Sequence, residues 1–496
     1  MKKILSLILA CILACSCVSI AFAKEIIMPD GIDPELMSSE YNDAVFKSDA
    51  IIYGLTPCKG DVRIVVFNLR RPNKSYLVSK TELNNLFFKN ISPNIPSNNV
   101  LTENDSVKRY LESSALGKIT ITGDVFNYTT KTNNSYSLYE ITHEIIQAAD
   151  NKEFGSSFSW ASYDGDSDRK VDCVAFICSE SDIVVDESVV DYAGFAHPSI
   201  GAFLDLDNDN LIDFGFASGF ALTKFSKNDI VSSAVHEICH TMGMPDIYDA
   251  DTCKLNPVNV NGSRYCTVMD NYYITMDDIP SPFKYCYAWS TNHYFTVPDN
   301  YTESEKVQTF NLRPYSKTNE VIVIPKDGNM NSEQFLMIEY LDGSVNDHRT
   351  GIRIWRTNIS QKTANEGRKW AVYGNVINFI EGIDRGEKGN PDPITRELFK
   401  AGDVFTLDTN PSTRFAKGLR YNANNKLEAV YEDGGITKIE IVSTTAEKAV
   451  VKVTWTNPDS QDSYTTPNMT FMNFFNKILE LFRNFIKLIT LKYGKN

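Results

Sequence analysis

Residues 236–246 read His236-Glu237-Ile238-Cys239-His240-Thr241-Met242-Gly243-Met244-Pro245-Asp246. His236 and His240 are four apart, so on a helix their imidazoles share one face, one turn apart. That is the geometry two ligands need to grip one zinc ion. Glu237, next to His236, can reach water on such a metal without being a ligand itself. Ile230, Ala234, Ile238 and Met242 recur every four positions and predict an apolar stripe facing a core. Upstream, Ser226 stands in the N-cap position with Asp229 three residues later. Downstream, Gly243 ends the helix and Pro245 prevents its resumption. Gly243 can take a positive φ and swing the chain back, which puts Asp246 under the metal as the third ligand. Asp249 is the alternative third ligand, and capping of the turn is the competing role for Asp246.

Outward from this helix, the composition is that of a globular protein. The chain has 496 residues, 42% of them apolar and 23% charged, with a formal net charge of −14. No broad basic face is on offer, which argues against a nucleic-acid partner. The N-terminus reads as a signal peptide over residues 1–23: Lys2 and Lys3, an apolar run from Ile4 to Ile20, then Ala21-Phe22-Ala23 before a cut at Lys24. Export follows from that reading, so the protein is expected outside the cell; the run is short for a membrane anchor. Removing it leaves Cys58, Cys173, Cys178, Cys239, Cys253, Cys266 and Cys286, an odd number. No C-x-x-C pair occurs, which argues against a cysteine-based zinc site.

Residues 24–57 are weakly patterned and read as an N-terminal extension or propeptide. Val62-Arg63-Ile64-Val65-Val66-Phe67 predicts a strand, Ser106 to Ser114 a helix, Lys118 to Gly123 a strand, Ser137 to Ala149 a helix and Val171 to Ile177 a strand. Strands and helices so mixed predict an α/β or α+β domain over 58–300 that carries the histidines. From 301 to 456 the runs are short and β-like, Val321 to Ile324, Phe335 to Ile338, Gly351 to Trp355 and Ala449 to Val453 being the clearest. They predict an all-β, sandwich-like domain. Residues 457–470 read as a polar linker and 471–496 as an amphipathic helix with basic residues, which docks on the protein itself or contacts a membrane or cell-surface partner.

Two acidic loops carry a second metal signal. Asp164, Asp166, Asp168 and Asp172 occupy positions 1, 3, 5 and 9 of an EF-hand-like loop, and Asp205, Asp207, Asp209 and Asp213 repeat the spacing. Clustered carboxylates repel, and a calcium ion is the natural way to hold them together. Arg169 stands where such loops usually have Gly, and no Glu follows at position 12. The competing reading is a solvated acidic turn.

Residues 236–249, HEICHTMGMPDIYD, resemble the active-site signature of the immune inhibitor A family of bacterial secreted metallopeptidases, which are metzincin-like. The resemblance extends to SVKRYLESSALGKITITGDV, YDGDSDRKVDCVAFI, SPFKYCYAW, EQFLMIEY, GIRIWR and GDVFTLDTNPSTRF, and so spans about residues 60–455. It implies an α+β fold with a metzincin-like catalytic domain, zinc, calcium and hydrolysis of peptide bonds in protein or peptide substrates. It implies Glu237 as the general base and Met269 as the Met-turn below the metal. Tyr272 is the candidate transition-state stabiliser, although it stands at +3 from Met269 where metzincins place a tyrosine at +2. Residues 179–225 depart from the family pattern, and Cys239 sits inside the zinc helix. Two other classes compete: a calcium-stabilised adhesion module with a structural zinc site, and a zinc hydrolase of a non-peptide bond.

Overall fold

The computed structural model describes residues 56–91, 105–131, 136–178, 183–184, 194–197, 203–204, 214–216, 219–222, 230–244, 248–249, 254–255, 268–269, 278–298, 300–343, 350–358, 379–383, 398–409, 412–421 and 427–457. Over these residues the chain mixes helices with strands gathered into several sheets. The residues read as a signal peptide, most of the expected 24–57 extension, the expected Ser226–Asp229 cap, nearly all of the expected linker and the expected helix over 471–496 lie outside the described residues. Among the described residues no helix is long and apolar enough to cross a membrane.

The β-branched run around Val65 forms β1 (Gly60–Arg70). It pairs in parallel with β2 (Ile119–Thr129) on one side and with β3 (Cys173–Cys178) on the other. Beyond β3 come β5 (Gly219–Leu222), parallel to it, and β4 (Gly194–His197), an antiparallel edge, so the order is β2-β1-β3-β5-β4. Parallel neighbours need crossover connections. Two helices, α1 (Lys80–Phe88) and α2 (Val107–Ser114), lie between β1 and β2 in the chain, and α3 (Leu138–Asp150) lies between β2 and β3. Serines cap the first two: Ser79 accepts from the Glu82 amide at 3.2 Å and Ser106 from the Arg109 amide at 3.1 Å.

Both faces of this sheet are covered, which explains why the centre of β1, Ile64-Val65-Val66-Phe67, is apolar without alternation. Val62, Ile64 and Val66 pack with Leu83, Tyr110, Leu111 and residues of the helix α4 (Ile230–Thr241). Val65, Phe67 and Leu69 face the other way, against Ile141 and Ile145 of α3 and an aromatic group including Trp160, Tyr163 and Phe176.

Residues 291–456 build two larger sheets, beside the two-stranded pair Phe415–Tyr421 and Leu427–Glu432. One takes β6 (Thr291–Tyr294), β8 (Glu320–Pro325), β9 (Gln334–Asp342), β10 (Thr350–Asn358) and β11 (Phe379–Ile383) in the order β6-β8-β9-β10-β11. The other takes β7 (Glu305–Leu312), β12 (Val404–Thr406), β13 (Ile436–Thr444) and β14 (Ala449–Thr456) in the order β7-β14-β13-β12. The first of these two is again buried on both faces. Its even-numbered residues, Ile322, Ile324, Leu336, Ile338, Ile352 and Ile354, meet Phe310, Ile439, Val451 and Val453 of the second. Its odd-numbered residues, Val321, Val323, Met337 and Trp355, join the core beneath α4. That core therefore continues across residue 300.

Polar groups also tie the two halves together. The helix α5 (Ser281–Cys286) directs the Ser281 amide onto Glu339 of β9 at 3.1 Å. Glu339 is fully buried and also accepts from Trp355 Nε1 at 2.9 Å and from Arg353. Lys284 of α5 has no exposed surface; its ammonium meets Asp278 at 2.5 Å and Asn319 Oδ1 at 2.7 Å, with the Tyr315 ring 4.2 Å away. Asn319 takes the left-handed conformation at φ 51° and donates to the Ser114 carbonyl at 2.9 Å and the Trp289 carbonyl at 3.2 Å. Thus α2, α5 and the start of β8 are held by one water-excluded network.

Candidate metal centre

Every residue of α4 is buried, including His236, Glu237 and His240. Ile230, Val231, Ala234, Val235 and Ile238 fill the core face. Helical spacing places His236, Glu237 and His240 on the opposite side. His236 Nδ1 lies 2.6 Å from the Val268 carbonyl, and His240 Nδ1 lies 2.7 Å from the Met244 carbonyl. A carbonyl can only accept, so each Nδ1 carries a hydrogen and donates it. In the neutral rings this leaves a lone pair on each Nε2, and the two Nε2 atoms are 3.0 Å apart with the rings nearly perpendicular at 88°.

Facing lone pairs in a dry interior repel. Either a proton between them, which buries an imidazolium, or a cation bound to both removes the conflict. Zinc–nitrogen bonds of about 2.0–2.1 Å in a tetrahedral shell put ligand nitrogens roughly 3.3 Å apart, so this pair fits the ion with little adjustment. The backbone carbonyls at Nδ1 fix both tautomer and ring direction, as partners of metal-bound histidines commonly do.

The C-terminal end of α4 is fully accounted for, although its last carbonyls have no partner within the helix. Gly243 sits at φ 94°. Its amide donates to the His240 carbonyl at 2.8 Å, and the Met244 amide donates to the Cys239 carbonyl at 2.9 Å, a Schellman turn. The Thr241 carbonyl accepts from the Thr56 amide at 3.2 Å, and the Met242 carbonyl accepts from the Tyr287 hydroxyl at 2.8 Å. The Schellman turn carries the Met244 carbonyl that orients His240.

Met269 is fully buried in the same apolar core as Met242 and Met244, one residue after the carbonyl that holds His236. Asp246 and Tyr272 lie outside the described residues. Asp249 is described only in its backbone, in the two-residue strand Tyr248–Asp249 paired with Lys254–Leu255. Cys239 lies in the core, and burial pushes its thiol well above the ordinary range. Burial likewise raises Cys58 to about 11 and Cys286 to about 12. These thiols are protonated, which suits core residues and not metal ligands.

In the first acidic loop the structure brings Asp164, Asp166 and Asp172 together, with one carboxylate oxygen of each within 4.8 Å of the others. Asp168 is not in that group. Its carboxylate meets Lys170 at 3.0 Å, while its amide donates to Asp164 at 3.1 Å and Asp166 at 3.2 Å. Arg169 has φ 66°, so the position where such loops usually have Gly does need a left-handed backbone, here adopted by a residue with a Cβ. Asp172 is buried and accepts from the Arg63 amide at 2.7 Å and the Gly165 amide at 3.1 Å. A Cβ on Gly165 would collide with the Asp61 carbonyl, so only glycine fits there. Burial, with smaller contributions from Asp166 and Asp164, raises the Asp172 pKa to about 7 despite those two amides. Burial first, then Asp168, raises that of Asp166 as well. The loop can lower this electrostatic cost by taking up a cation. The second loop, with Asp205, Asp207, Asp209 and Asp213, lies outside the described residues.

Sequence reasoning missed the carbonyls of Val268 and Met244 and the two tertiary partners Thr56 and Tyr287. A backbone carbonyl has no sequence signature, and one threonine or tyrosine among many carries none either. No family model matches the chain, and no curated protein matches it in sequence.

Proposed function

We propose that the chain is a secreted zinc metalloendopeptidase that cleaves extracellular proteins or peptides, with the metzincin-like character that its resemblance to the immune inhibitor A family implies. The observation that carries this reading is the pair of buried Nε2 atoms 3.0 Å apart, each ring held by a carbonyl at Nδ1, on the same helix as Glu237. His236 and His240 would hold the metal, with Asp246 as third ligand, Asp249 as the alternative, and Met269 packed below.

Zinc bound there supplies a Lewis acid that polarises a peptide carbonyl and lets water ionise near neutral pH. Glu237 contributes the proton transfers: it takes the proton of the attacking water and delivers it to the leaving amine nitrogen. Its 4% exposure shields the carboxylate from bulk solvent, so the proton stays at the site. Val268 and Met244 keep the imidazole rings aimed, and Tyr272 is the candidate donor to the developing oxyanion. The acidic loops bind calcium as structural supports.

The test is casein hydrolysis by the full-length protein and by Glu237→Gln, with and without a zinc chelator. Glu237→Gln should retain stoichiometric zinc and lose activity by about a hundredfold or more. Chelator-insensitive hydrolysis, or a variant that keeps most of its activity, overturns the assignment.

A further inference from the structure

The carbonyl of Met242, the residue just after α4, is held by a residue from outside the site. Tyr287 follows α5, is fully buried, and its hydroxyl donates to the Met242 carbonyl at 2.8 Å. Its ring lies against Trp289, with centroids 5.1 Å apart, and Trp289 Nε1 donates to the Cys58 carbonyl at 2.6 Å. The tyrosine therefore has a fixed platform. Burial keeps its phenol protonated, so it remains a donor.

Met242 is the last residue before Gly243, and the Met242-Gly243-Met244 turn has a single function-bearing output. It places the Met244 carbonyl 2.7 Å from His240 Nδ1. The Met242 carbonyl and the Gly243 amide share one rigid peptide plane, so if the Met242 peptide rotates, the Gly243 amide swings off the His240 carbonyl and the turn that carries the Met244 carbonyl, two planes further on, can shift. Glycine at φ 94° leaves the turn free to do so. The Gly243 and Met244 amides hold the turn from within, and Tyr287 holds it from the neighbouring element.

We infer that Tyr287 is a positioning residue for the metal centre: by fixing the Met242 carbonyl it holds the post-helix turn in the one arrangement that aims His240. This rests on the zinc reading above. Tyr287 touches neither metal nor substrate, and its effect is on how often the ligand set is competent. A ligand that needs a fractionally populated conformer binds more weakly by that fraction. One buried hydrogen bond corresponds to roughly three- to tenfold in such an equilibrium.

The experiment compares zinc dissociation constants, measured by competition with a chromophoric chelator, for the full-length protein, Tyr287→Phe and Tyr340→Phe. Tyr340 is the control: it is also buried and donates to a backbone carbonyl, that of Thr445 at 2.5 Å, far from the histidines in sequence. Urea midpoints of the zinc-free proteins are recorded alongside. Tyr287→Phe should weaken zinc by about three- to tenfold, while Tyr340→Phe lowers the midpoint and leaves zinc affinity within about twofold. Equal zinc affinity in Tyr287→Phe and wild type overturns the inference and makes the tyrosine a purely structural residue. Gly243→Ala strains the same turn without touching Tyr287 and keeps the test open if Tyr287→Phe does not fold; full zinc affinity in Gly243→Ala also overturns the idea. Failure of the wild-type protein to bind zinc is a different result, and it removes the functional reading itself.

Discussion

Thr56 and Thr241, 185 positions apart in the chain, share a side-chain hydrogen bond of 2.8 Å, and the Thr56 amide also donates to the Thr241 carbonyl. The Thr56 hydroxyl lies 3.1 Å from the Asp172 carbonyl as well. One residue thus joins the end of the histidine-bearing helix to the acidic loop.

Thr56→Val should destabilise the protein by about 1–2 kcal/mol, because it removes a buried hydroxyl and leaves its partners short of one hydrogen bond. Thr56→Ser keeps the oxygen and should recover most of the loss. Urea denaturation of the three proteins decides; a Val variant as stable as wild type means the bridge is incidental.

Asp172 makes stability depend on pH in a stated direction. Its folded pKa is about 7, against the ordinary carboxylate value in the unfolded chain. A raised carboxyl pKa means the contribution is fully present below about pH 4, is lost as pH rises toward 7, and stays lost above that. In chelator, the wild type should therefore lose stability relative to Asp172→Asn across that window, on the order of 2–4 kcal/mol. Calcium should restore wild type at pH 8 and leave Asp172→Asn little changed. Parallel pH profiles for the two proteins, with no calcium effect on either, would make the loop a simple turn.

Lys284→Met should cost about 3–5 kcal/mol, since it strands the Asp278 carboxylate where water cannot reach it. Adding Asp278→Asn should return part of that loss. The double-mutant cycle from chemical denaturation gives the coupling; additive effects would mean that the pair does not act as a unit.

Deleting residues 471–496 should leave peptide hydrolysis nearly intact, because none of the candidate site residues lies beyond Tyr272 in the sequence. If the segment contacts a membrane, the intact protein should co-sediment with anionic liposomes, less so in high salt, and the truncated form should not. If neither binds and truncation instead lowers stability by several kcal/mol, on the order of what eight apolar side chains can contribute, the segment is a core element.

The sequence by itself determined the local elements. The four-residue apolar spacing marks α4, Ser106 marks the start of α2, and the β-branched runs mark β1, β8 and β10, because period and capping chemistry act over a few residues. It also placed His236 and His240 on one face, since a helix makes that unavoidable. It could separate the chain at 300 from the change in pattern, but not see that Val321, Met337 and Trp355 share a core with Ile238. It could align Asp168 with its neighbours, but not see it turn to Lys170. Only the tertiary structure decided which carbonyls hold the imidazoles, which residues close the end of α4, and which aspartates converge. The Val268, Thr56 and Tyr287 contacts join residues 32, 185 and 45 positions apart, each through a backbone carbonyl that every residue type presents alike. The Met244 carbonyl and the three aspartates are close in sequence, but the folded path of the chain between them sets which of them meet.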